Sequence, residues 1–391
     1  MKRIILKFAV LSFFITLLSA ENFGLVLSGG GAKGAYQVGV WKALEDYGIS
    51  NQITVISGTS VGALNAALFA CSDLGEAEKL WREEVGYSSF LMPDTSTFSE
   101  VAAFAVRSAQ NHLGEKNMQE NPYNLSEWLN PVESELLRQL LDGVTFIADT
   151  GIGLARGTIR HLSDYIFSEA HSDGIFERDA LKSILEKNIS LDKLEKSGID
   201  VYATAIPKDG FLIINTLGWF LGNDSVHYFK LNEQLNNTNV NDILMASSAF
   251  PLVYESSRLS ANVIENGRVV GRSYEYIDGG FESVGGKNTP ILPAAKSDKV
   301  DKIIVVYLKS KAEMDDSYVN TWVHDDEAKG KDMIEIVPSK DLGDFLEGTV
   351  NFDPENISGL IDLGYADACA ILEDRGYSKM GRIKKFFKNV F

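Results

Sequence analysis

One serine, held between two glycines, is the strongest candidate for chemistry in this chain. Ser60 lies in the motif GTSVG at 58–62, which follows the apolar run 53–56 and precedes a helical pattern of small residues. A serine on a sharp strand-to-helix turn exposes its hydroxyl to a cleft, as a nucleophile requires. Gly58 and Gly62 lack the Cβ atoms that would clash across such a turn. The motif therefore predicts a nucleophile elbow.

A second glycine turn offers hydrogen-bond donors for a developing negative charge. The motif GGGAKG begins at Gly29 and also lies between an apolar run and a helical pattern. Consecutive glycines let backbone N–H groups converge, so Gly29, Gly30 and Gly31 are candidate oxyanion donors. Gly34 ends the motif. Lys33 either helps to hold the loop, attracts an anionic head group, or is simply solvated.

The candidate base is an aspartate rather than a histidine. Asp278 precedes Gly279 and Gly280, which give it room to approach another backbone, and none of the five histidines lies in a comparable motif. A carboxylate with a pKa near ~4 is a weak base in water, but it serves when it contacts the hydroxyl directly in a dry cleft. We therefore expect activity to persist well below the pH at which histidine-dependent enzymes fade.

The elements that must position these groups alternate between strands and helices. Apolar runs and helical periodicity predict strands at 23–27, 53–56, 200–206 and 302–308, and helices at 35–47, 61–71, 177–188, 241–248 and 359–373. Strand–helix alternation with tight glycine turns predicts a three-layer α/β/α fold with a central, mostly parallel sheet. The polar and aromatic stretch before Asp278 predicts no regular element.

Residues 84–170 interrupt this regular pattern. The stretch is long and weakly patterned, with helical pieces at 99–110 and 132–141. It predicts a helical insertion or cap over the core.

Both ends of the chain have distinctive composition. Residues 1–20 combine a positive start, an apolar core and small residues near position 20, which is typical of a secretory signal peptide. An uncleaved membrane anchor is the alternative. We therefore expect an exported protein, periplasmic or secreted. Residues 377–391 are basic and amphipathic, which fits either contact with an anionic membrane surface or a solvated tail.

Charge and cysteine content limit the possible partners. The net charge of −17 argues against a general affinity for nucleic acid. Cys71 and Cys369 either pair in an oxidising compartment or remain buried thiols. Neither cysteine has histidine or cysteine neighbours at the spacing of metal ligands, so we expect neither a metal nor another cofactor. The sequence gives no oligomeric state.

The three glycine motifs, in this order, resemble the patatin-like phospholipase family. GGGAKG matches the family's oxyanion loop, GTSVG its nucleophile elbow and DGG its aspartate turn. Further blocks agree at 174–185, 246–251 and 288–295, and the resemblance covers about 24–297. Residues 298–391 then form a C-terminal strand and helix extension.

This resemblance implies a patatin-like fold and a catalytic dyad of Ser60 and Asp278, without histidine or calcium. It implies that N–H groups around Gly30 and Gly31 form the oxyanion hole. The implied reaction is hydrolysis of fatty-acyl esters in lipids, at a lipid or membrane surface.

Three alternatives remain open at this point. A conventional α/β-hydrolase would use Ser60, Asp278 and His324 as a triad. A dinucleotide-binding domain shares a glycine-rich turn after its first strand, but it favours an acidic residue after the second strand. A lipid-binding protein of the same fold would keep these residues without turnover.

Overall fold

Eight strands form one sheet at the centre of the protein. The computed structural model describes residues 21–86, 92–93, 176–208, 226–233, 239–250, 254–265, 268–280, 286–315, 323, 325–343 and 345–379. The strands are β1 (Phe23–Leu27), β2 (Ile53–Thr59), β3 (Met92–Pro93), β4 (Phe176–Glu177), β5 (Asp200–Pro207), β6 (His227–Lys230), β7 (Ser257–Glu265), β8 (Arg268–Asp278), β9 (Lys302–Val306) and β10 (Asp332–Ile336). Strands β3 and β4 pair only with each other.

Helices flank the sheet. They are α1 (Ala35–Asp46), α2 (Val61–Cys71), α3 (Leu74–Lys79), α4 (Asp179–Asn188), α5 (Leu191–Ser197), α6 (Val240–Ser247), α7 (Leu292–Lys296), α8 (Lys311–Asp315) and α9 (Pro354–Asp374). Shorter helical turns occupy Gly31–Gly34, Ser50–Gln52, Leu80–Glu84 and Phe345–Thr349. Among the residues described, no helix is both long enough and apolar enough to span a bilayer.

The sheet has a parallel half and an antiparallel half. Its order is β10-β9-β1-β2-β5-β8-β7, and β6 also pairs with β5. The pairs from β10 to β5 are all parallel. The pairs of β5 with β6 and β8, and of β7 with β8, are antiparallel. The predicted α/β/α fold with a mostly parallel sheet is confirmed.

Two apolar cores lie on opposite sides of the sheet because side chains alternate along each strand. Leu25 and Leu27 belong to the larger core with α1, α2 and α9, whereas Val26 belongs to the smaller one with α7. The first strand is buried on both faces. This burial on both faces is typical of a strand inside a parallel sheet.

The C-terminal part of the chain completes this same core. Strand β9 lies between β1 and β10, and helix α9 packs against α1. The Tyr36 hydroxyl of α1 donates to the Asp367 carboxylate of α9 at 3.0 Å, and both side chains are buried. Strands β9 and β10 and helix α9 therefore belong to the same sheet and core as the elements that precede them.

The predicted elements agree with the structure to within a few residues, and several further elements were not predicted. Helix α9 begins five residues earlier than predicted, at Pro354, where Asp353 caps it by accepting from two backbone N–H groups. The hairpin of β7 and β8 occupies the polar and aromatic stretch, and β10 was also not predicted. Cys71 and Cys369 are free, partly buried thiols, so the disulfide is not formed.

Several expectations fall outside the residues described. These are the signal peptide at 1–20, nearly all of the insertion at 84–170 with both of its helical pieces, and the basic tail beyond 379.

Candidate active site

Ser60 occupies a strained turn between β2 and α2. Its backbone angles are φ 54° and ψ −128°, and a positive φ is unusual for a residue with a side chain. Such conformations cost about 1–3 kcal/mol and persist only where the surroundings enforce them. The Ser60 carbonyl accepts from the amides of Ala63 and Leu64 at 2.9 and 3.1 Å, which ties the turn to the start of the helix.

The two glycines around Ser60 are required by close backbone contacts. A Cβ on Gly58 would lie 2.2 Å from the carbonyl carbon of Gly62. A Cβ on Gly62 would lie 2.2 Å from the carbonyl oxygen of Leu27 in β1. The elbow therefore presses against both its own helix and the neighbouring strand, and the sequence-based reason for these glycines is confirmed.

The three candidate oxyanion donors are not equivalent. The Gly29 amide donates to Asn288, at 3.1 Å to Oδ1 and 3.3 Å to the carbonyl oxygen. The amides of Gly30 and Gly31 form no hydrogen bond with the described residues. Gly31 has φ 56°, and a Cβ there would lie 2.2 Å from the Thr349 carbonyl oxygen. The loop thus leaves two adjacent donors available, and Gly29 anchors it.

A buried polar network holds both ends of this loop. Gln37 donates through Nε2 to the Ser28 carbonyl at 2.7 Å. Asn65 donates through Nδ2 to the Gly34 carbonyl at 3.0 Å and to Gln37 Oε1 at 2.8 Å. The Asn65 Oδ1 accepts from Trp81 Nε1 at 3.0 Å. The network connects the loop to the helix that begins at the nucleophile, and sequence reasoning missed it.

Lys33 is buried, which excludes the solvated alternative. The residue is 6% exposed. A Cβ on Gly348 would lie 2.4 Å from Lys33 Cε, so the lysine stem passes directly beneath that turn. Because the flexible stem would otherwise occupy many rotamers, its burial fixes the loop from below. The prediction that Lys33 helps to hold the loop fits this position.

The register of the sheet brings Asp278 close to Ser60. Thr59, the residue before the nucleophile, pairs with Thr204 of β5. The next residue, Ala205, pairs with Asp278 on one edge and with β6 on the other. Since β6 also pairs with Thr204 on the edge opposite β2, strands β2 and β8 share one edge of β5. Asp278 therefore lies directly beyond the end of β2, where Ser60 begins the turn.

Asp278 is a buried carboxylate with one unsatisfied oxygen. The residue is 2% exposed, and its Oδ1 accepts from the Gly280 amide at 2.8 Å. Its Oδ2 is buried without a hydrogen-bond partner among the described residues. Its own amide donates to the Ala249 carbonyl at 2.9 Å. An unpaired buried acceptor is suited to receiving a proton.

Burial raises the pKa of Asp278 to about 6, while the Ser60 hydroxyl, the Gly280 amide and the Arg178 charge each lower it. The Ser60 hydroxyl is therefore close enough to Asp278 to lower the pKa of its carboxyl. With a base of this pKa, we expect the acid limb of activity near pH 6, rather than the lower range that the sequence suggested.

Gly279 and Gly280 support the aspartate by close contact. A Cβ on Gly279 would lie 2.4 Å from Thr204 Oγ1, and one on Gly280 would lie 3.0 Å from Asn288 Oδ1. Asn288 therefore contacts both the aspartate turn and the oxyanion loop. It lies in the block 288–295 that supported the family resemblance, and that block was the available signal for it.

Two further residues near the dyad were not singled out in the sequence. Ser247 accepts a hydrogen bond from the Ser60 amide at 3.1 Å. Arg178 donates to Ser248 Oγ at 2.8 Å and also to the Met245 carbonyl. Both lie in blocks that resemble the family, at 246–251 and 174–185. As for Asn288, that resemblance was the sequence signal that could have found them.

The histidines offer no competing base in the described part of the chain. His227 is exposed as a residue, and its Nδ1 lies 3.0 Å from the Tyr276 hydroxyl. Partial desolvation of its ring beside the neighbouring side chains lowers its pKa. His324, the third member of the alternative triad, lies outside the described residues. No group of metal-binding side chains occurs in the ranges that the structure covers.

Comparison with known proteins gives a family match over most of the core. A family model described as patatin-like phospholipase matches residues 25–295. Lysophospholipase nte1 of Aspergillus terreus is 58% identical over 53 residues, which are 14% of this chain and 3% of that protein. Patatin-like phospholipase domain-containing protein 7 of Rattus norvegicus is 41% identical over 73 residues, 18% of this chain and 5% of that protein. The matches thus span a small part of these relatives.

Solved structures give a weaker similarity. VipD from Legionella pneumophila aligns with a TM-score of 0.41 and 16% identity, over 90% of this chain and 67% of that one. The type III effector ExoU aligns with a TM-score of 0.38 and 17% identity, over 91% of this chain and 53% of that one.

Proposed function

The chain belongs to the patatin-like phospholipase family of lipid hydrolases, and we propose that it cleaves fatty-acyl esters with Ser60 as nucleophile and Asp278 as base. The observation that carries this proposal is the buried, unpaired Oδ2 of Asp278, which lies directly beyond the end of β2, where a serine with a strained backbone begins the turn. Family membership sets aside the dinucleotide-binding alternative.

The reaction follows from the placement of these groups. The Ser60 hydroxyl oxygen attacks the ester carbonyl carbon while Asp278 takes the hydroxyl proton. The resulting oxyanion accepts hydrogen bonds from the N–H groups of Gly30 and Gly31. The partial positive charge at the N-terminus of α2 also stabilises it. Asp278 then returns the proton to the leaving alcohol. Water then attacks the carbonyl carbon of the acyl–serine ester as the same carboxylate takes its proton, and that proton passes to the Ser60 oxygen as it leaves, which releases the fatty acid.

The direct test uses variants of both dyad residues with a fluorogenic fatty-acyl ester. We expect Ser60→Ala and Asp278→Asn each to lower kcat by about a thousandfold or more, because both groups act in the same step. A His324→Ala variant should retain activity. Near-complete loss in His324→Ala would instead favour the triad, and an Asp278→Asn enzyme with full activity would refute the dyad.

A protein without turnover remains the second candidate, and the same assay addresses it. A fluorophosphonate probe reacts only with an activated serine. We expect the wild type to be labelled and Ser60→Ala to stay unlabelled. A wild type that neither turns over esters nor reacts with the probe would indicate a lipid-binding role.

For the substrate, we propose a phospholipid or lysophospholipid at a membrane surface. The similar relatives include a lysophospholipase and a patatin-like phospholipase domain-containing protein, which supports this class, and the family match supports lipid esters in general. Mixed-lipid vesicles incubated with enzyme and analysed for released fatty acid and lysolipid would identify the substrate. Hydrolysis of neutral glycerides alone would contradict it.

We also propose export, with removal of residues 1–20. The composition of that segment supports this assignment. N-terminal sequencing of the protein from its native host should begin near Glu21. A full-length protein retained in the membrane fraction would indicate an uncleaved anchor.

A further inference from the structure

We propose that the turn at the end of α6, residues 245–249, sets the position of the nucleophile relative to the base, with Ser247 and Arg178 as positioning residues. This inference rests on the proposed dyad of Ser60 and Asp278. It concerns residues that hold the dyad, and none of them needs to touch the substrate.

The first contact of the turn is with the nucleophile. Ser247 is fully buried, and its Oγ accepts from the Ser60 amide at 3.1 Å. The Ser60 backbone is strained, with φ 54°, so it needs bonds that oppose relaxation. A buried amide that loses its acceptor costs about 1–3 kcal/mol. Ser247 therefore stabilises the strained state of the elbow.

The second contact of the turn is with the base. Two residues after Ser247, the Ala249 carbonyl accepts from the Asp278 amide at 2.9 Å. The backbone of Asp278 otherwise pairs with Ala205 at the very end of β8. The same short turn thus holds both dyad residues by their backbone amides. A shift of the turn would move the two reacting groups relative to each other.

Arg178 fixes the turn itself. Its Nη2 donates to the Met245 carbonyl and to Ser248 Oγ, the latter at 2.8 Å. A cation that binds the last carbonyls of a helix is favoured by the helix dipole. Its Nη1 donates to the Glu255 carbonyl at 3.3 Å, and its guanidinium lies 5.0 Å from the Tyr254 ring centroid. Arg178 thereby connects the end of α6 to the start of the hairpin.

The charge of Arg178 also reaches the base. Burial lowers the pKa of Arg178 to about 10, so it remains a cation at neutral pH, and this cation lowers the pKa of Asp278. Other titratable groups on the surrounding elements are the exposed His227, and Tyr276 and Tyr254, whose pKa values are raised by burial. Glu255 lies beside Arg178, and Lys287 pairs with Glu327 at 3.1 Å. Arg178 is the only one of these whose charge acts on Asp278.

A matched pair of serine variants tests the contact with the nucleophile. Ser247→Ala removes the acceptor of the Ser60 amide. Ser197→Ala is the control, since Ser197 Oγ also accepts a backbone amide at 3.1 Å, from Ile199, at the opposite end of the sheet. We expect Ser247→Ala to lower kcat and the rate of fluorophosphonate labelling by about tenfold or more, with KM changed by less than about twofold.

Two outcomes of this experiment are decisive. Ser247→Thr should recover most of the activity because it restores the hydroxyl, and Ser197→Ala should keep wild-type kcat. A folded Ser247→Ala enzyme with wild-type kcat and labelling would overturn the role of Ser247.

The pH profile of Arg178 variants separates charge from packing. Arg178→Gln removes the cation that lowers the pKa of Asp278, so the acid limb of kcat/KM should move to higher pH, by about half a unit or more. Arg178→Lys keeps the charge and should keep the limb in place. A folded Arg178→Gln enzyme with an unshifted limb would overturn the electrostatic role.

A third variant covers the case in which Arg178→Gln fails to fold. Ser248→Ala removes one partner of Nη2 but retains the cation, so kcat should fall while the limb stays in place. An unchanged kcat in Ser248→Ala would show that the hydrogen bonds of Arg178 to the turn do not position it. If Asp278→Asn is fully active, the dyad itself has failed. If Asp278→Asn is inactive and Ser247→Ala is normal, only the present inference has failed.

Discussion

The two halves of the sheet contribute to the site in different ways. The parallel half supplies the elbow at Ser60 and the glycine loop at Gly30 and Gly31, each at the end of a strand and the start of a helix. The antiparallel half supplies Asp278 from the end of a long hairpin strand. Local steric contacts hold the first half, because Gly58 and Gly62 leave no space for another residue type. In the second half, Asp278 accepts a hydrogen bond from the nearby Gly280 amide and donates one to the more distant Ala249 carbonyl.

This difference indicates which half tolerates change. In the parallel half, a Cβ on Gly58 or Gly62 would lie 2.2 Å from backbone atoms, closer than the 2.9 Å between a Cβ on Gly279 and the Thr204 backbone. In the antiparallel half, Asp278 is held by separate hydrogen bonds to Ala249 and Gly280, and losing one leaves the other. We therefore expect substitutions near the nucleophile to act on folding and activity together, and those near the base to act mainly on activity.

The largest expected effect is that of Gly58→Ala. The new Cβ would meet the Gly62 carbonyl group at 2.2 Å, so the backbone must move. We expect activity to be lost and the free energy of unfolding to fall by about 3 kcal/mol or more. Urea denaturation measures the change. Gly359→Ala in α9 is the control, since its Cβ meets nothing within 4 Å, and it should be neutral or stabilising. Equal stability of the two variants would contradict the steric argument.

Asn65→Ala should have the next largest effect. It leaves the Gly34 carbonyl, the Gln37 side chain and the Trp81 indole without their buried partner. We expect a loss of about 2–3 kcal/mol in the free energy of unfolding and a lower kcat, because the oxyanion loop loses its link to α2. Asn188→Ala, which removes a bond of a similar length from a more exposed helix end, should cost far less. A normal kcat in Asn65→Ala would show that the loop holds itself.

Asp278→Asn should stabilise the protein at neutral pH. The folded-state pKa of about 6 lies above the ordinary value of 3.8, so the folded protein holds the proton more tightly. Ionisation therefore lowers stability as the pH rises from about 4 to about 6, and the loss is complete above that range. The asparagine avoids a penalty of about 1–3 kcal/mol at pH 7, and its advantage should vanish below about pH 4.

Asp200→Asn should have the opposite effect and destabilise the protein at neutral pH. Its carboxylate binds Lys299 at 2.7 Å and Lys230 at 3.3 Å, and these cations lower its pKa against the effect of burial. Its contribution is therefore present above the unfolded pKa and is lost as the pH falls. Thermal unfolding at pH 4 and pH 7 measures both variants. An Asp278→Asn protein that is less stable than wild type at pH 7 would contradict the claim that the buried charge of Asp278 destabilises the fold.

The smallest expected effect is that of His227→Asn. His227 is exposed and contacts Tyr276 rather than the dyad. We expect kcat and the acid limb near pH 6 to remain within error of the wild type. A limb that disappears in this variant would reassign the titration from the carboxylate to the histidine.

Sequence reasoning succeeded where local patterns determine structure. The glycines at 58 and 62 and the apolar strands of the parallel half follow from sterics and periodicity over a few residues. The hairpin of β7 and β8 was missed because its strands are polar in part and pair with each other rather than alternate with helices. The raised pKa of Asp278 was missed because burial is a property of the whole fold. Asn65 and Ser247 were missed for the same reason.

The position of β1 has a consequence for how the chain acquires its structure. This strand is the first in the described sequence, yet it lies between β2 and β9. Phe23 pairs with Ile53 of β2, which follows soon after it, and with Lys302 of β9, which lies near the other end of the chain. Its second edge stays unpaired during synthesis until Val306 has emerged, and pairing of this kind is slow. The unfinished intermediate would expose an apolar strand edge. We therefore expect the nascent chain to lack its complete sheet through most of translation and to depend on chaperones during that interval.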